Sequence, residues 1–492
     1  MPRNRATYLP PLSIDRASGC SIQQQIYEWL QTAILDGRLR PNQAVPSSRA
    51  LALDLNVSRA PVLAAYEQLT AEGFLAALVG GGTYVSATIP EDLVFTAKEA
   101  RRSTGARRVS DVASTLQAAP PQPWSGKGNA FRSGMPAIDR FPGAVWSTLV
   151  ARHCRRTTGA MLGYAEPMGY PPLREALATY LGAARGVRCS PSQILIVSGS
   201  QSGLQIVARA LLDPGDPVLI EDPGYAGAHQ AFLMAGARMT PIPVDADGIV
   251  VGDDPSSLPP GRAAYVTPSH QHPMGVVMSA TRRLQLLKWA AEADAWIIED
   301  DYDSEYRFGG RPIASLQGLD ATERVIYLGT LSKVISPSLR LGYIVAPRDL
   351  VPALLAVRRA IDIQAPTLLQ AAMADFILEG HFARHLRRMR TLYMERRNTL
   401  VKAIDETIGD SLKIVGVDAG LHLTALLPEG FDDIDIATRA AEAGISSLPL
   451  STCYLAPSTR PGLVLGYGAA DEAMIRRGVD ILASVLRGSG AG

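Results

Sequence analysis

The stretch RVIYLGTLSKVISPSLRLGY sets an amine and a guanidinium close together in the chain. An apolar run ends in Gly329-Thr330, Lys333 follows in a loop of small residues, and Arg340 lies seven residues later. A lysine just past a strand end is the type that forms imines, and a nearby arginine can clamp an anion through two parallel hydrogen bonds. The same pair also reads as two solvated loop residues. In AWIIEDDYDSEYRF, acidic residues crowd the end of a second apolar run, with Asp300 at its edge and Tyr302 two residues on. Such a cluster binds a metal, solvates a loop, or lends one carboxylate to a buried cation. With no histidine nearby in sequence, no metal is expected. In ILIVSGSQSGLQIVARAL the chain passes from a strand through Ser198-Gly199-Ser200-Gln201 into a helix. The free N–H groups of a helix start make a phosphate cradle. This one lacks both the G-K-[ST] and the G-x-G-x-x-G signatures.

These stretches need elements that bring them together. ILIVSG, PVLIED, AAYVTP, AWIIED, RVIYLGT and GYIVAP are short apolar runs, and amphipathic segments such as TRRLQLLKWAAEADA lie between them. Near-continuous apolar strands alternating with helices predict a mostly parallel α/β sheet over residues 128–488. Ligand groups then belong at the carboxyl ends of the strands. A basic helix is expected near 384–397 (RHLRRMRTLYMERR). It reads as a solvated face or a helix packed in a dimer, with a second DNA-contacting surface as the alternative. No internal repeat is found.

The N-terminal segment follows other rules. In SIQQQIYEWLQTAILDG, Ile22, Ile26, Leu30 and Ile34 recur every four residues, one stripe of a helix. Ser21 and Gln24 have capping-box spacing, and Gly37 fits the stop. PSSRALALDL predicts a short helix opened by Ser47 or Ser48, Asn56-Val57 a turn, and Ser58 the start of a third helix. FLAALVGGGTYVS reads as two strands around Gly80, Gly81 and Gly82. Three short helices and a hairpin over residues 12–86 predict a winged helix-turn-helix. Residues 87–127, rich in Ser, Gly, Pro and Arg, read as a linker.

Composition bounds the rest. The 492 residues carry 48 Lys+Arg against 47 Asp+Glu, a net charge of +1, which excludes a polybasic binder but not a small DNA-reading module. Cys20, Cys154, Cys189 and Cys453 are far apart, as expected of reduced thiols in a cytoplasm. No signal peptide and no membrane span are expected.

Taken together, these motifs resemble the fold-type I pyridoxal 5'-phosphate (PLP) aminotransferases. With the N-terminal segment, the chain resembles the MocR/GabR-type regulators, a GntR-family branch that fuses a winged helix to an aminotransferase-like domain. The resemblance covers nearly the whole chain outside the linker. It implies that Lys333 carries PLP as a Schiff base, that Asp300 pairs the pyridine nitrogen and keeps the ring an electron sink, and that Tyr302 donates to the phenolic oxygen. It implies phosphate-binding roles for Ser200, Gln201, Thr330 and Arg340, and stacking on the cofactor for Tyr225. Tyr164 matches a tyrosine that reaches the phosphate of a neighbouring subunit, implying a homodimer. Arg49 and Arg59 match DNA-contacting arginines, Ser58 opens the recognition helix, and Gly82 sits at the wing tip.

Two departures stand out. Where aminotransferases carry N-P-x-G, this chain has His272-Pro273-Met274-Gly275, so Gln271 or His270 is expected to take the asparagine's place. The carboxylate-binding arginine before the last strand has only Arg460 as a candidate, against a surface-loop role. The resemblance implies a PLP-dependent transcription regulator that binds double-stranded operator DNA and senses an amine, an amino acid or PLP itself. Exchange of the Schiff base or a transamination half-reaction is expected rather than net turnover. The alternatives are an active aminotransferase with a vestigial DNA module, and a DNA-binding protein whose PLP fold is purely structural.

Overall fold

Ser21 begins the first ordered element as its spacing predicts. Its hydroxyl accepts from the Gln24 N–H at 3.2 Å and caps α1 (Ile22–Leu35). Gln24 turns its own side chain forward to Glu28, so only half of the capping box forms. The computed structural model describes residues 12–78, 82–88, 108–119, 130–252, 254, 257–309 and 313–489. Two units separate between Val109 and Ser110.

In the first unit, Ser47 rather than Ser48 caps α2 (Ser48–Asp54), and Asn56 turns the chain at a left-handed φ of 51°. The helix α3 (Arg59–Ala71) buries Val62, Ala65, Tyr66 and Leu69, a 3–4 spacing that packs against Ile26, Leu30 and Ile34 of α1. Strands β1 (Leu75–Leu78) and β2 (Gly82–Val85) pair antiparallel, completing the winged helix. Gly80 and Gly81 lie outside the described residues.

The second unit opens with a helix inside the stretch read as linker: α4 (Asp111–Ala118), capped by the Ser110 hydroxyl. Its sequence signals are the Ser110-Asp111 start and a weak apolar spacing of Val109, Val112, Ala113 and Leu116. Beyond it stands an eight-stranded sheet in the order β3-β10-β9-β8-β7-β4-β5-β6. The strands are β3 (Ile194–Val197), β4 (Pro217–Asp222), β5 (Arg238–Asp245), β6 (Gly248–Ile249), β7 (Ala263–Val266), β8 (Trp296–Asp301), β9 (Val325–Thr330) and β10 (Gly342–Val345). The run β5-β4-β7-β8-β9 is parallel, and β10 runs antiparallel to both β9 and β3. Layers cover both faces, so these strands are apolar without alternation. A four-stranded antiparallel sheet follows, in the order β11 (Lys413–Val415), β12 (His422–Leu426), β14 (Gly462–Gly466), β13 (Leu448–Pro449).

The basic segment near 384–397 belongs to a 27-residue helix, His381–Thr407. It buries His385, Leu386, Met389, Tyr393 and Arg396 in the core of the second unit. One face of this helix therefore serves packing.

Candidate functional site

The parallel strands deliver their polar ends to one place. Along β8 successive side chains point to opposite faces, and this alternation sorts the acidic cluster. Asp301 accepts from Arg185 Nε at 2.9 Å and from the Tyr327 hydroxyl at 2.6 Å. Glu299, on the same side, accepts from the N–H groups of Leu316 and Gln317. Asp300 faces the other way, into a pocket it shares with Lys333. The Tyr265 hydroxyl donates to its Oδ2 at 2.8 Å, while Oδ1 is buried with no partner. Burial pushes the Asp300 carboxyl up to about 7, against the opposing hydrogen bond from Tyr265. An unpartnered buried carboxylate oxygen is costly, and a cationic N–H is the partner that relieves it.

Lys333 donates from Nζ to the Gly134 carbonyl at 2.7 Å. Desolvation lowers its ammonium to about 8, and the carboxylates of Asp303 and Asp300 oppose that shift. Gly134 has φ +72°, and a Cβ there would lie 2.7 Å from Nζ. Only glycine lets the amine seat against that carbonyl.

An anion cradle lies beside the amine. The helix Ser200–Leu211, here α5, starts after Gly199 at φ +90°. The Arg340 guanidinium lies over that glycine, about where a Cβ would come within 3.1 Å, and donates to the Ser198 carbonyl at 2.9 Å. Arg340 itself is left-handed at φ +49°. The first N–H groups of α5, the Ser200 side chain and this guanidinium form a site for a dianion such as a phosphate.

Of the residues expected at the site, Lys333, Asp300, Tyr302, Tyr225 and Ser200 line this pocket. The Tyr302 hydroxyl donates to the His270 carbonyl at 2.8 Å. Thr330 is buried at the end of β9, where its hydroxyl accepts from the Ser332 N–H. Gln201 spends its amide on the Gly227 carbonyl. Tyr164 is 87% exposed and lines no part of the pocket. Arg460 is exposed and stands before the start of β14, whose other end, Gly466, pairs with His422 at the pocket. Arg460 does not line the pocket.

Neither Gln271 nor His270, the two residues expected in the asparagine's place, lines the pocket. Gln271 is 1% exposed, and its amide donates to Glu221 and to the Pro223 and His272 carbonyls. His270 is tied to Asp303 at 3.1 Å. His272 itself faces the pocket, edge-on to Tyr225 with ring centroids 5.5 Å apart. Burial drives its imidazole down to about 3, so it is neutral.

Sequence reasoning also missed Ser133, Tyr265, Thr267 and His422, which reach the pocket from distant segments. Among the described residues, His270, Asp303 and His422 offer three buried ligand atoms within 4.8 Å of one another, a set no sequence spacing reveals. His270 is bonded to Asp303, and His422 Nε2 to the Pro273 carbonyl at 3.2 Å.

In the first unit, Arg49, Ser58 and Arg59 are all exposed. Arg59 Nε donates to the Ser48 hydroxyl at 3.0 Å, joining the starts of α2 and α3. The Ser58 hydroxyl makes no capping bond. Gly82 opens β2 at φ +97° opposite Leu78.

Comparison with known proteins places both units. Residues 22–85 match the family model "Bacterial regulatory proteins, gntR family", and residues 143–464 match "Aminotransferase class I and II". The probable rhizopine catabolism regulatory protein MocR of Rhizobium meliloti is 42% identical over 484 residues, covering 98% of this chain and 97% of that protein. This chain belongs to the MocR/GabR-type branch of the GntR family. Another regulator of this build, the pyridoxine biosynthesis transcriptional regulator PdxR of Corynebacterium glutamicum, is 30% identical over 95% of this chain and 96% of its own. Among solved structures, the α-aminoadipate aminotransferase LysN of Thermus thermophilus, complexed with N-(5'-phosphopyridoxyl)-L-leucine, aligns with a TM-score of 0.71 and 30% identity. It covers 77% of this chain and 97% of its own.

The MocR-type chain is thus a transcriptional regulator with a DNA-binding winged helix and a fold-type I domain whose cofactor is PLP. The pocket fits that group. An orphaned carboxylate oxygen awaits a ring N–H, a helix start with an arginine awaits a phosphate, and a lysine of lowered basicity lies in the same pocket. No helix among the described residues is long and apolar enough to cross a membrane.

Proposed function

We propose that this regulator binds operator DNA as a cytoplasmic homodimer and senses a small amine, amino acid or PLP itself at the pocket of Lys333. The observation that carries the reading is the unpartnered Asp300 Oδ1 in the pocket that also holds Lys333. Bound PLP supplies an aldehyde that condenses with amines and a protonated ring that withdraws electrons. Lys333 would hold the cofactor covalently, Asp300 would receive the ring N–H, and the Tyr302 hydroxyl would turn from the His270 carbonyl to donate toward the phenolic oxygen. Ser200, Gln201, Thr330 and Arg340 would hold the phosphate. Tyr225 packs on the ring. Tyr164, exposed in the single chain, reaches the phosphate of a second subunit. Arg49, Ser58, Arg59 and Gly82 meet DNA.

The test is a footprint on the gene's own upstream region, with and without PLP and candidate amines. Protection that changes with ligand supports sensing. Rapid keto-acid formation from added amino acids, with no change in protection, favours an active aminotransferase instead. Sedimentation of the PLP-loaded protein as a monomer at working concentration would contradict the dimer.

The purified protein is expected to be yellow, and Lys333→Ala is expected to lose the long-wavelength cofactor absorbance. A colourless wild type that takes up no added PLP overturns the reading. The pH dependence follows from the same lysine. Only the neutral amine attacks an aldehyde, and burial lowers the Lys333 ammonium to about 8. Uptake of PLP by the apo-protein should therefore be slow below pH 7, rise through pH 8, and level off above pH 9. A rate still climbing steeply toward pH 10.5 would mean that Lys333 keeps the basicity of a solvated lysine.

A further inference from the structure

A second cavity, of about 300 Å³, opens beside the pocket of Lys333. Tyr225 and His272 line both, so the two cavities share a wall made by these rings. Its floor is the helix Ala226–Met234, here α6, with Leu448 and Leu455 from the second sheet's side, and Leu116 and Ala119 of the α4 segment close it. We propose that this cavity is the effector's second compartment, which takes the apolar body of an amine bearing a neutral hydrogen-bonding group, and that filling it holds α4 in place. The proposal rests on the reading that the Lys333 pocket is a PLP site.

The wall chemistry sets the ligand class. Leu116, Leu233, Met239, Leu448 and Leu455 offer apolar surface. His229 Nε2 and His272 Nδ1 are buried without partners, two polar atoms at one cavity. Burial lowers His229 to about 4 and His272 to about 3, so both rings are neutral at pH 7. They suit a hydroxyl or amide, whereas a carboxylate buried against them would lose its hydration with no opposing charge.

The roof explains why occupancy matters. An isolated helix of eight residues is marginal in water, since nucleation outweighs so few bonds. No residue of α4 is fully buried, and it packs only lightly on α6. Its helical state therefore depends on its seat, and a ligand that adds contacts under Leu116 stabilises it. This helix is the first element of the second unit after the boundary at Val109.

The experiment uses the full-length, PLP-loaded protein titrated with 2-aminoethanol, 6-aminohexan-1-ol and 6-aminohexanoate, followed by the cofactor absorbance. Hydrogen exchange of residues 111–118 is read in parallel. The longer amino alcohol should bind more tightly than the shorter, by about tenfold for each two methylenes buried, and should slow exchange in α4. The substitution Leu116→Trp, which narrows the cavity under its roof, should reduce that preference for length. Equal affinities for the two amino alcohols, or a preference unchanged in Leu116→Trp, overturn the compartment. Tighter binding of 6-aminohexanoate overturns the ligand class, and unchanged exchange in α4 overturns the coupling. A yellow protein whose spectrum no amine shifts also overturns the compartment, whereas a colourless protein overturns the PLP reading beneath it.

Discussion

Asp300→Ala is expected to weaken PLP binding by about ten- to hundredfold, measured by cofactor absorbance against free PLP. The estimate takes a hydrogen bond between charged groups as about 1.5–3 kcal/mol, with about 1.4 kcal/mol per tenfold. The neighbouring carboxylates supply the contrast. Asp301 is locked against Arg185, both nearly fully buried. Asp301→Ala strands that guanidinium and should cost about 3–5 kcal/mol of stability, seen as a lower unfolding midpoint. Asp303→Ala frees His270 and the Leu421 N–H and should touch PLP affinity less than Asp300→Ala does. Equal losses of PLP affinity from all three would point to a generic acidic loop or a metal site. The contrast stems from one property of a strand: neighbouring side chains face opposite sides of the sheet.

Arg59→Ala and Arg49→Ala should each weaken operator binding by about ten- to hundredfold while the PLP spectrum stays intact. Residues 1–88 carry seven Arg and no Lys against six Asp+Glu, so the reading unit has little general attraction for phosphate. Affinity then depends on a few placed groups. A lost bidentate base contact costs about 1–3 kcal/mol, visible in a gel-shift titration. Salt dependence separates the roles: an arginine that meets only phosphate lowers the slope of log K against log salt by about one, and a base-reading arginine relaxes sequence preference instead. If both variants bind like wild type, the winged helix does not read DNA through these residues.

Much of this was legible in the residues because it is local. Ser21 and Ser47 cap helices, apolar runs mark strands, and a lysine, a glycine-serine turn and an acidic strand end follow one another at short range. The other half of the pocket was not legible, because it depends on pairing across the chain. Gly134 meets Lys333 from 199 residues away, and Tyr265 finds Asp300 across the β7–β8 pair. His272 was passed over for its neighbours because the loop's hydrogen bonds, not its composition, decide which of three polar side chains turns inward. The linker helix was missed because eight residues with a faint stripe resemble a coil until a surface is offered to them.

The antiparallel strand β10 also sets a schedule for the newborn chain. Val197 pairs with Gly342, so β3 has no neighbouring strand until 145 more residues have been made. At about 5–20 residues per second, that is a wait of roughly 7–30 s on the ribosome. During it β3 lacks its partner strand, while the neighbouring segments Pro171–Arg185 and Ser200–Leu211 can already pack on it. The winged helix needs nothing beyond residue 88 for its own pairing. The part that reads DNA can thus be finished well before the part that listens for a ligand.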